Sequence, residues 1–364
     1  MHISELDTPA LIIDLDIFER NLARVARYAS EHDLRLRPHT KTHKIPAIGK
    51  LQVASGAVGL TVAKVGEAEV MLTSGTPDLL IAYPVIGRSK LERLAEVARK
   101  TRVTVALDSV LAARQLSEAA RQAQVSFGVL AEVDVGLGRV GVNPGEELLQ
   151  LVQAIEQLPQ LTFEGITFYP GHIKKLGEEG AEELKELGRT VQSMLADFHK
   201  AGIEVRIVSG GSTPTLFRSH EVSGLSEIRP GTYVYNDVNT VRSAACAWED
   251  CAVSILTTVV STARKGQMII DGGSKTFSSD RVADSAQLSF GRVIEDPDCV
   301  FHKMNEEHGF VDTRAAQREF SVGDRVQIIP NHVCVAVNLH EQVYGVRRGT
   351  VEQTWKVEGR GKLQ

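Results

Sequence analysis

The sequence predicts an α/β protein: a (β/α)8 barrel of the TIM type over residues 1–235, followed by a second, mostly β domain over residues 236–364. Three observations lead there. Short β-rich runs alternate with segments of helical apolar spacing through the first 235 residues. Those β-rich runs number eight, which suits a parallel βα array. After Asn236 the texture changes, and strand-like stretches follow one another across Gly-rich turns with few helical patterns between them.

In chain order, the barrel strands are expected at 34–37, 58–62, 79–83, 103–107, 126–133, 163–168, 204–208 and 227–229. Helical spacing falls between them at 17–29, 91–100, 111–122, 146–158 and 181–201. A closed barrel leaves no exposed sheet edge. The open doubly wound alternative is disfavoured by eight units and by the lack of an early Gly-x-Gly-x-x-Gly fingerprint. In the second domain, strands are expected at 251–261, 268–271, 325–329, 333–339 and 349–357. Residues 1–15 are a candidate source of one more strand for that domain, at 11–14, and 359–364 read as a frayed end.

Bulk composition narrows the function. A chain of 364 residues, 43% hydrophobic and 24% charged, suits a globular protein. A net charge of −5 and a pI near 6.2, with no compensating basic stretch, argue against a nucleic-acid partner. No apolar run reaches the roughly 18 residues of a membrane span, and the first nine residues lack the features of a secretion signal. Four cysteines, Cys246, Cys251, Cys299 and Cys334, make no disulfide framework in a chain this long. The expected location is the reduced cytoplasm, with Cys334 available as a thiolate.

Chemistry collects where strands end. Arg37-Pro38-His39-Thr40-Lys41-Thr42-His43-Lys44 follows the first barrel strand. A lysine among cations has its pKa lowered, and a neutral lysine can form an imine with a carbonyl cofactor. Lys41 is the candidate and Lys44 its competitor. The fifth strand runs into Glu132, Asp134, Gly136, Gly138 and Arg139, and the sixth ends at Tyr169-Pro170-Gly171-His172. The seventh ends in Ser209-Gly210-Gly211-Ser212-Thr213 and the eighth in Arg229-Pro230-Gly231-Thr232-Tyr233. Two glycines, two hydroxyls and Pro214 make Ser209–Thr213 a candidate anion cradle, with Gly231-Thr232 as its neighbour. Far downstream, His332 and Cys334 stand at i, i+2 in an expected strand, which would put both on one face. Imidazole with thiolate favours zinc or another late transition metal. The loop from Asp271 to Asp280 is a further polar turn.

Residues 37–44 (RPHTKTHK), 62–69 (VAKVGEAE), 209–215 (SGGSTPT), 227–237 (EIRPGTYVYND) and 330–339 (PNHVCVAVNL) resemble, in order, the D-threonine aldolase / D-serine dehydratase family. These are metal-dependent pyridoxal-phosphate enzymes of the alanine-racemase fold type. The resemblance implies that Lys41 carries pyridoxal 5'-phosphate covalently. Ser209, Gly210, Gly211, Ser212 and Thr213, with Gly231 and Thr232, would hold its phosphate. Arg139 would approach the ring's phenolic oxygen and Tyr169 its pyridine nitrogen, with His39 and Tyr233 completing the cofactor set. His332 and Cys334 would bind a divalent metal, zinc or manganese. A small D-3-hydroxy amino acid is the implied substrate and a homodimer the implied assembly.

Two outcomes follow from the resemblance. With His172 or a metal-bound hydroxide taking the β-hydroxyl proton, the Cα–Cβ bond breaks to release glycine and an aldehyde. With Lys41 taking the α-proton, the hydroxyl leaves and a 2-oxo acid and ammonia follow. Cys334 matches the dehydratases, where aldolases typically carry aspartate. Residues 62–69, 209–215 and 271–280 look more like aldolases. The reading is therefore D-threonine aldolase, with D-serine or 3-hydroxy-D-aspartate dehydratase as the alternative and an amino-acid racemase as a remote one.

Overall fold

Parallel strands covered on both faces read as near-continuous apolar runs, and Phe127–Val133 is one, buried at every position. The computed structural model describes residues 1–174, 178–282 and 289–364. Its strands, in chain order, begin with β1 (Ala10–Asp14). Eight barrel strands follow: β2 (Arg35–Leu36), β3 (Leu60–Val62), β4 (Asp78–Ile81), β5 (Arg102–Leu107), β6 (Phe127–Val133), β7 (Leu161–Phe168), β8 (Ile207–Gly210) and β9 (Glu227–Ile228). The rest are β10 (Val253–Ser261), β11 (Gln267–Ile270), β12 (Gly291–Val293), β13 (Val300–Met304), β14 (Gly309–Asp312), β15 (Arg325–Pro330), β16 (Gln342–Arg347) and β17 (Thr350–Lys356).

The chain divides into two compact units. One comprises Arg24–Lys41, Pro46–Gly231 and Gly361–Gln364; the other comprises Met1–Ala23, Thr42–Ile45 and Thr232–Arg360. The chain thus leaves the barrel unit at Lys41/Thr42 and again at Gly231/Thr232.

In the barrel unit all ladders are parallel, in the order β2-β9-β8-β7-β6-β5-β4-β3. The gap between β2 and β3 is closed by Val58 N–H donating to Leu36 O at 2.9 Å and Thr61 N–H to Pro38 O at 2.8 Å. Alternation then sorts the side chains. Phe127, Val129, Ala131 and Val133 pack into the large apolar cluster with the surrounding helices, while Leu130 joins Leu80 and Ile207 in a smaller inner one. Helices appear where spacing predicted them, as in Val110–Ala123 and Glu146–Glu156. Pro46–Ala54 and Val65–Met71 are additional.

The barrel interior is strongly polar. Arg37, 2% exposed, pairs with Asp78 at 2.8 Å and with Glu227 at 2.9 Å. Ser209 donates to Glu227 at 2.7 Å and accepts from Arg229, which also donates to the Phe168 carbonyl at 3.0 Å. Burial works against the Arg37 cation, but Glu227 and Asp78 outweigh it and hold its pKa above the ordinary value. For the buried Arg229, desolvation dominates and lowers it.

In the other unit, among the described residues, β10-β15-β12-β13-β14-β11 closes back onto β10 as an antiparallel ring of six strands. β1 pairs antiparallel with β10 and parallel with β16. The strand expected at 333–339 does not form. Val333–Leu339 is an α-helix with His332 at its N-cap, and it buries Val333, Ala336 and Val337 at helical spacing. The Asp237 carboxylate accepts from Val333 N–H at 3.0 Å, which holds the helix start against the extended preference of three valines.

Candidate active site

Lys41 sits in a 3-10 turn just beyond β2, exposed, its backbone N–H reaching His39 Nδ1 at 3.3 Å. Its Nζ lies 6.0 Å from the centroid of the Tyr169 ring, and the Arg139 guanidinium lies 5.0 Å from the same centroid. Three candidates from three strand ends therefore meet on one ring. Gly171 makes the turn possible, because a Cβ there would lie 2.3 Å from the Tyr169 ring. Lys44, by contrast, is 6% exposed and belongs to the other unit.

His172 follows Tyr169 and packs against the loop after β6, where a Cβ on Gly136 would meet its ring at 3.3 Å. Its Nδ1 is buried and has no hydrogen-bond partner. Asp134 organises that loop by accepting from Gly136 N–H at 2.9 Å and Gly138 N–H at 3.0 Å. These two bonds hold its carboxyl below the usual range. Glu132, buried on the inner face of β6, is the opposite case. Desolvation pushes it up to about 7 despite the nearby Arg229 and Arg139.

In the candidate cradle, Gly210 packs so tightly that a Cβ would lie 2.5 Å from the Phe168 ring. Ser209 turns its hydroxyl into the Glu227–Arg229 network and away from the role of an open donor. Ser212 Oγ is 3.1 Å from Thr215 Oγ1, and Thr213 is 7% exposed. Gly231 is buried at the end of the barrel unit. A lysine amine and a guanidinium over one aromatic ring, an orphaned imidazole nitrogen and a glycine cradle with hydroxyls fit an anionic aromatic aldehyde.

In the other unit, Tyr233 is 3% exposed and Thr232 Oγ1 lies 3.9 Å from Cys334 Sγ. Thr42 Oγ1, fully buried, is 3.2 Å from the same sulfur. His332 and Cys334 sit at a helix N-cap and first turn, not on one face of a strand, yet the thiol still acts on the imidazole. Burial lowers the His332 pKa, but Cys334, Asp237 and Asp280 outweigh it and raise the imidazole to about 9. Among the described residues no group of three or more His, Cys, Asp or Glu side chains is arranged to hold a metal. Imidazole and thiol alone suit an ion whose other positions are open. Sequence reasoning passed over Thr42, Asp237 and the Arg37–Glu227 pair. For Asp237 a signal exists in the capping pattern it makes with Thr240.

A closed parallel barrel with a lysine at its first strand end, joined to an antiparallel β unit, has the architecture of the alanine-racemase-like fold. Residues 13–238 match the family model "Alanine racemase, N-terminal domain", and 252–346 match a serine dehydratase domain model. D-threonine aldolase of Arthrobacter sp. is 31% identical, covering 99% of this chain and 94% of that protein. D-threo-3-hydroxyaspartate dehydratase of Delftia sp. is 32% identical, covering 96% and 97%. The crystal structure of D-threonine aldolase from Filomicrobium marinum superposes with a TM-score of 0.93 at 33% identity, covering 99% of this chain and 98% of that one. A D-threo-3-hydroxyaspartate dehydratase solved as a cysteine-to-alanine variant in the metal-free form gives 0.89 at 30% identity, with 98% of both chains covered. The chain belongs to the D-threonine aldolase / D-serine dehydratase family.

Proposed function

We propose that this protein is a pyridoxal-phosphate- and divalent-metal-dependent lyase that cleaves D-3-hydroxy amino acids, with D-threonine aldolase activity. The observation that carries the reading is the convergence of Lys41 and Arg139 on the Tyr169 ring at the barrel strand ends. Lys41 Nζ holds the cofactor, Arg139 and Tyr169 orient its ring with His39 and Tyr233, and the 209–213 and 231–232 turns hold its phosphate. Ser209 contributes there through its backbone and its hold on Arg229. When bound, the cofactor supplies an electron sink for the pair released at the substrate's Cα. His332 and Cys334 hold zinc or manganese, which supplies Lewis acidity for a substrate oxygen.

His172 Nδ1, buried and unpartnered, accepts the proton of the β-hydroxyl in the aldol cleavage. Lys41 Nζ accepts the α-proton in the competing elimination. That second reading, a D-serine or 3-hydroxy-D-aspartate dehydratase, is favoured by the Cys334 thiol and by the likeness to D-threo-3-hydroxyaspartate dehydratase. The four cysteines are free thiols, and no helix of the described residues is long and apolar enough to cross a membrane. A cytoplasmic homodimer acting on a small-molecule substrate completes the reading. The deciding experiment incubates the protein, its cofactor and Mn2+ or Zn2+ with D-threonine. Glycine with acetaldehyde is the expected result. 2-Oxobutyrate with ammonia selects the dehydratase, and L-threonine alone refutes the lyase reading.

A further inference from the structure

Behind the His332–Cys334 pair lies a carboxylate that the reaction does not use. Asp237 is 1% exposed at its side chain, a setting a carboxylate tolerates only when its lone pairs are occupied. One oxygen caps the helix Val238–Arg242, accepting from Thr240 N–H at 2.8 Å and Thr240 Oγ1 at 2.6 Å. The other accepts from Val333 N–H at 3.0 Å and stands 3.7 Å from His332 Nδ1. All of these residues belong to the same unit of the chain.

We propose that Asp237 is the positioning residue of the metal-ligand pair: by holding Val333 N–H and facing His332 Nδ1 with the same oxygen, it fixes the helix start that carries both ligands and leaves His332 Nε2 as the coordinating nitrogen. The inference rests on the metal reading given above. A carboxylate behind the far nitrogen of a ligating imidazole sets its tautomer and ring orientation and strengthens it as a donor. Here the same carboxylate also reaches the backbone one residue before Cys334, so a single anion orders both ligands. Thr42 Oγ1, 3.2 Å from Cys334 Sγ, donates to that sulfur when it is a thiolate.

The test titrates the metal-stripped, cofactor-loaded full chain with Zn2+ against a chromophoric chelator. Wild type binds, and Cys334→Ala, which removes a ligand, does not. Asp237→Asn keeps a helix-capping oxygen of equal quality but loses the charge. Its amide nitrogen then faces Val333 N–H, so the variant melts lower than wild type but keeps its circular dichroism at the titration temperature, where Zn2+ affinity falls about 10–100-fold. Asp237→Ser, a different cap, falls in the same direction. Thr240→Ala weakens the cap while leaving the carboxylate in place, and keeps wild-type affinity. Asp237→Asn affinity within about twofold of wild type overturns the proposal, and so does an equal loss in Thr240→Ala. A wild-type chain that binds no Zn2+ overturns the metal reading itself.

Discussion

Replacing Glu227 by glutamine removes one charge from the middle of the barrel's buried ionic chain. Glu227 is fully buried, and its carboxylate accepts from Arg37 Nε at 2.9 Å and from Ser209 Oγ at 2.7 Å. Glutamine has nearly the same shape, so no cavity opens and the effect is electrostatic. One end of the new amide is an N–H2 aimed at a group that was itself donating, so either Arg37 or Ser209 loses its acceptor. Breaking a buried ion pair from one side costs about 3–5 kcal/mol. Arg37 keeps its 2.8 Å pair with Asp78, which places the expected loss at the lower end. We expect about 3 kcal/mol, roughly a 150-fold shift in the folding equilibrium. The assay is chemical denaturation followed by far-UV circular dichroism, because both tryptophans, Trp248 and Trp355, lie outside the barrel unit. Glu132 is the other carboxylate acting on Arg229, so the effects of Glu132→Gln and Glu227→Gln are coupled and the double variant departs from their sum. A loss below about 1 kcal/mol, or strict additivity, refutes the ionic-chain argument.

Two further predictions concern the site. Lys41→Ala abolishes the visible absorbance of the lysine-bound cofactor while Lys44→Ala, at a buried position in the other unit, keeps it; the reverse pattern moves the assignment to Lys44. Glu132 makes stability depend on pH with a definite sign. Its carboxyl is raised from 4.5 to about 7 in the folded chain, chiefly by burial, so the native state binds its proton more tightly than the unfolded state. That contribution is fully present below 4.5 and is lost as pH rises to about 7, at most about 3 kcal/mol. Glu132→Gln therefore gains stability relative to wild type between pH 5 and pH 8, as measured by denaturation at both; parallel pH profiles refute the assignment.

Much of the barrel is legible along the chain because each strand carries its own signal. Phe127–Val133 is a near-continuous apolar run, Val110–Ala123 is apolar on one face, and the chemistry-bearing runs fall at the ends of such strands. The second unit is less legible. Val300–Met304 and Gly309–Asp312 are short, half-exposed strands defined by pairing with each other, and neither stands out alone. Val333–Leu339 misleads because its three valines favour extension, whereas the helix is held by an Asp237 contact 96 residues away. Nothing local to the glycine-rich run 209–213 shows that the Ser209 hydroxyl is taken up by Glu227 and Arg229.

Local periodicity and turn chemistry determined the alternation of strands and helices, the placement of the lysine, tyrosine and glycine motifs at strand ends, and through them the family. Tertiary structure decided which charges face each other inside the barrel, since Arg37 and Glu227 are separated by 190 residues and nothing in a local window distinguishes a buried ion from a solvated one. It also decided that Cys334 meets Thr42 across 292 residues and that Asp237 stands behind His332. Such contacts arise from the pairing of distant strands, and their energies depend on how much water that pairing excludes.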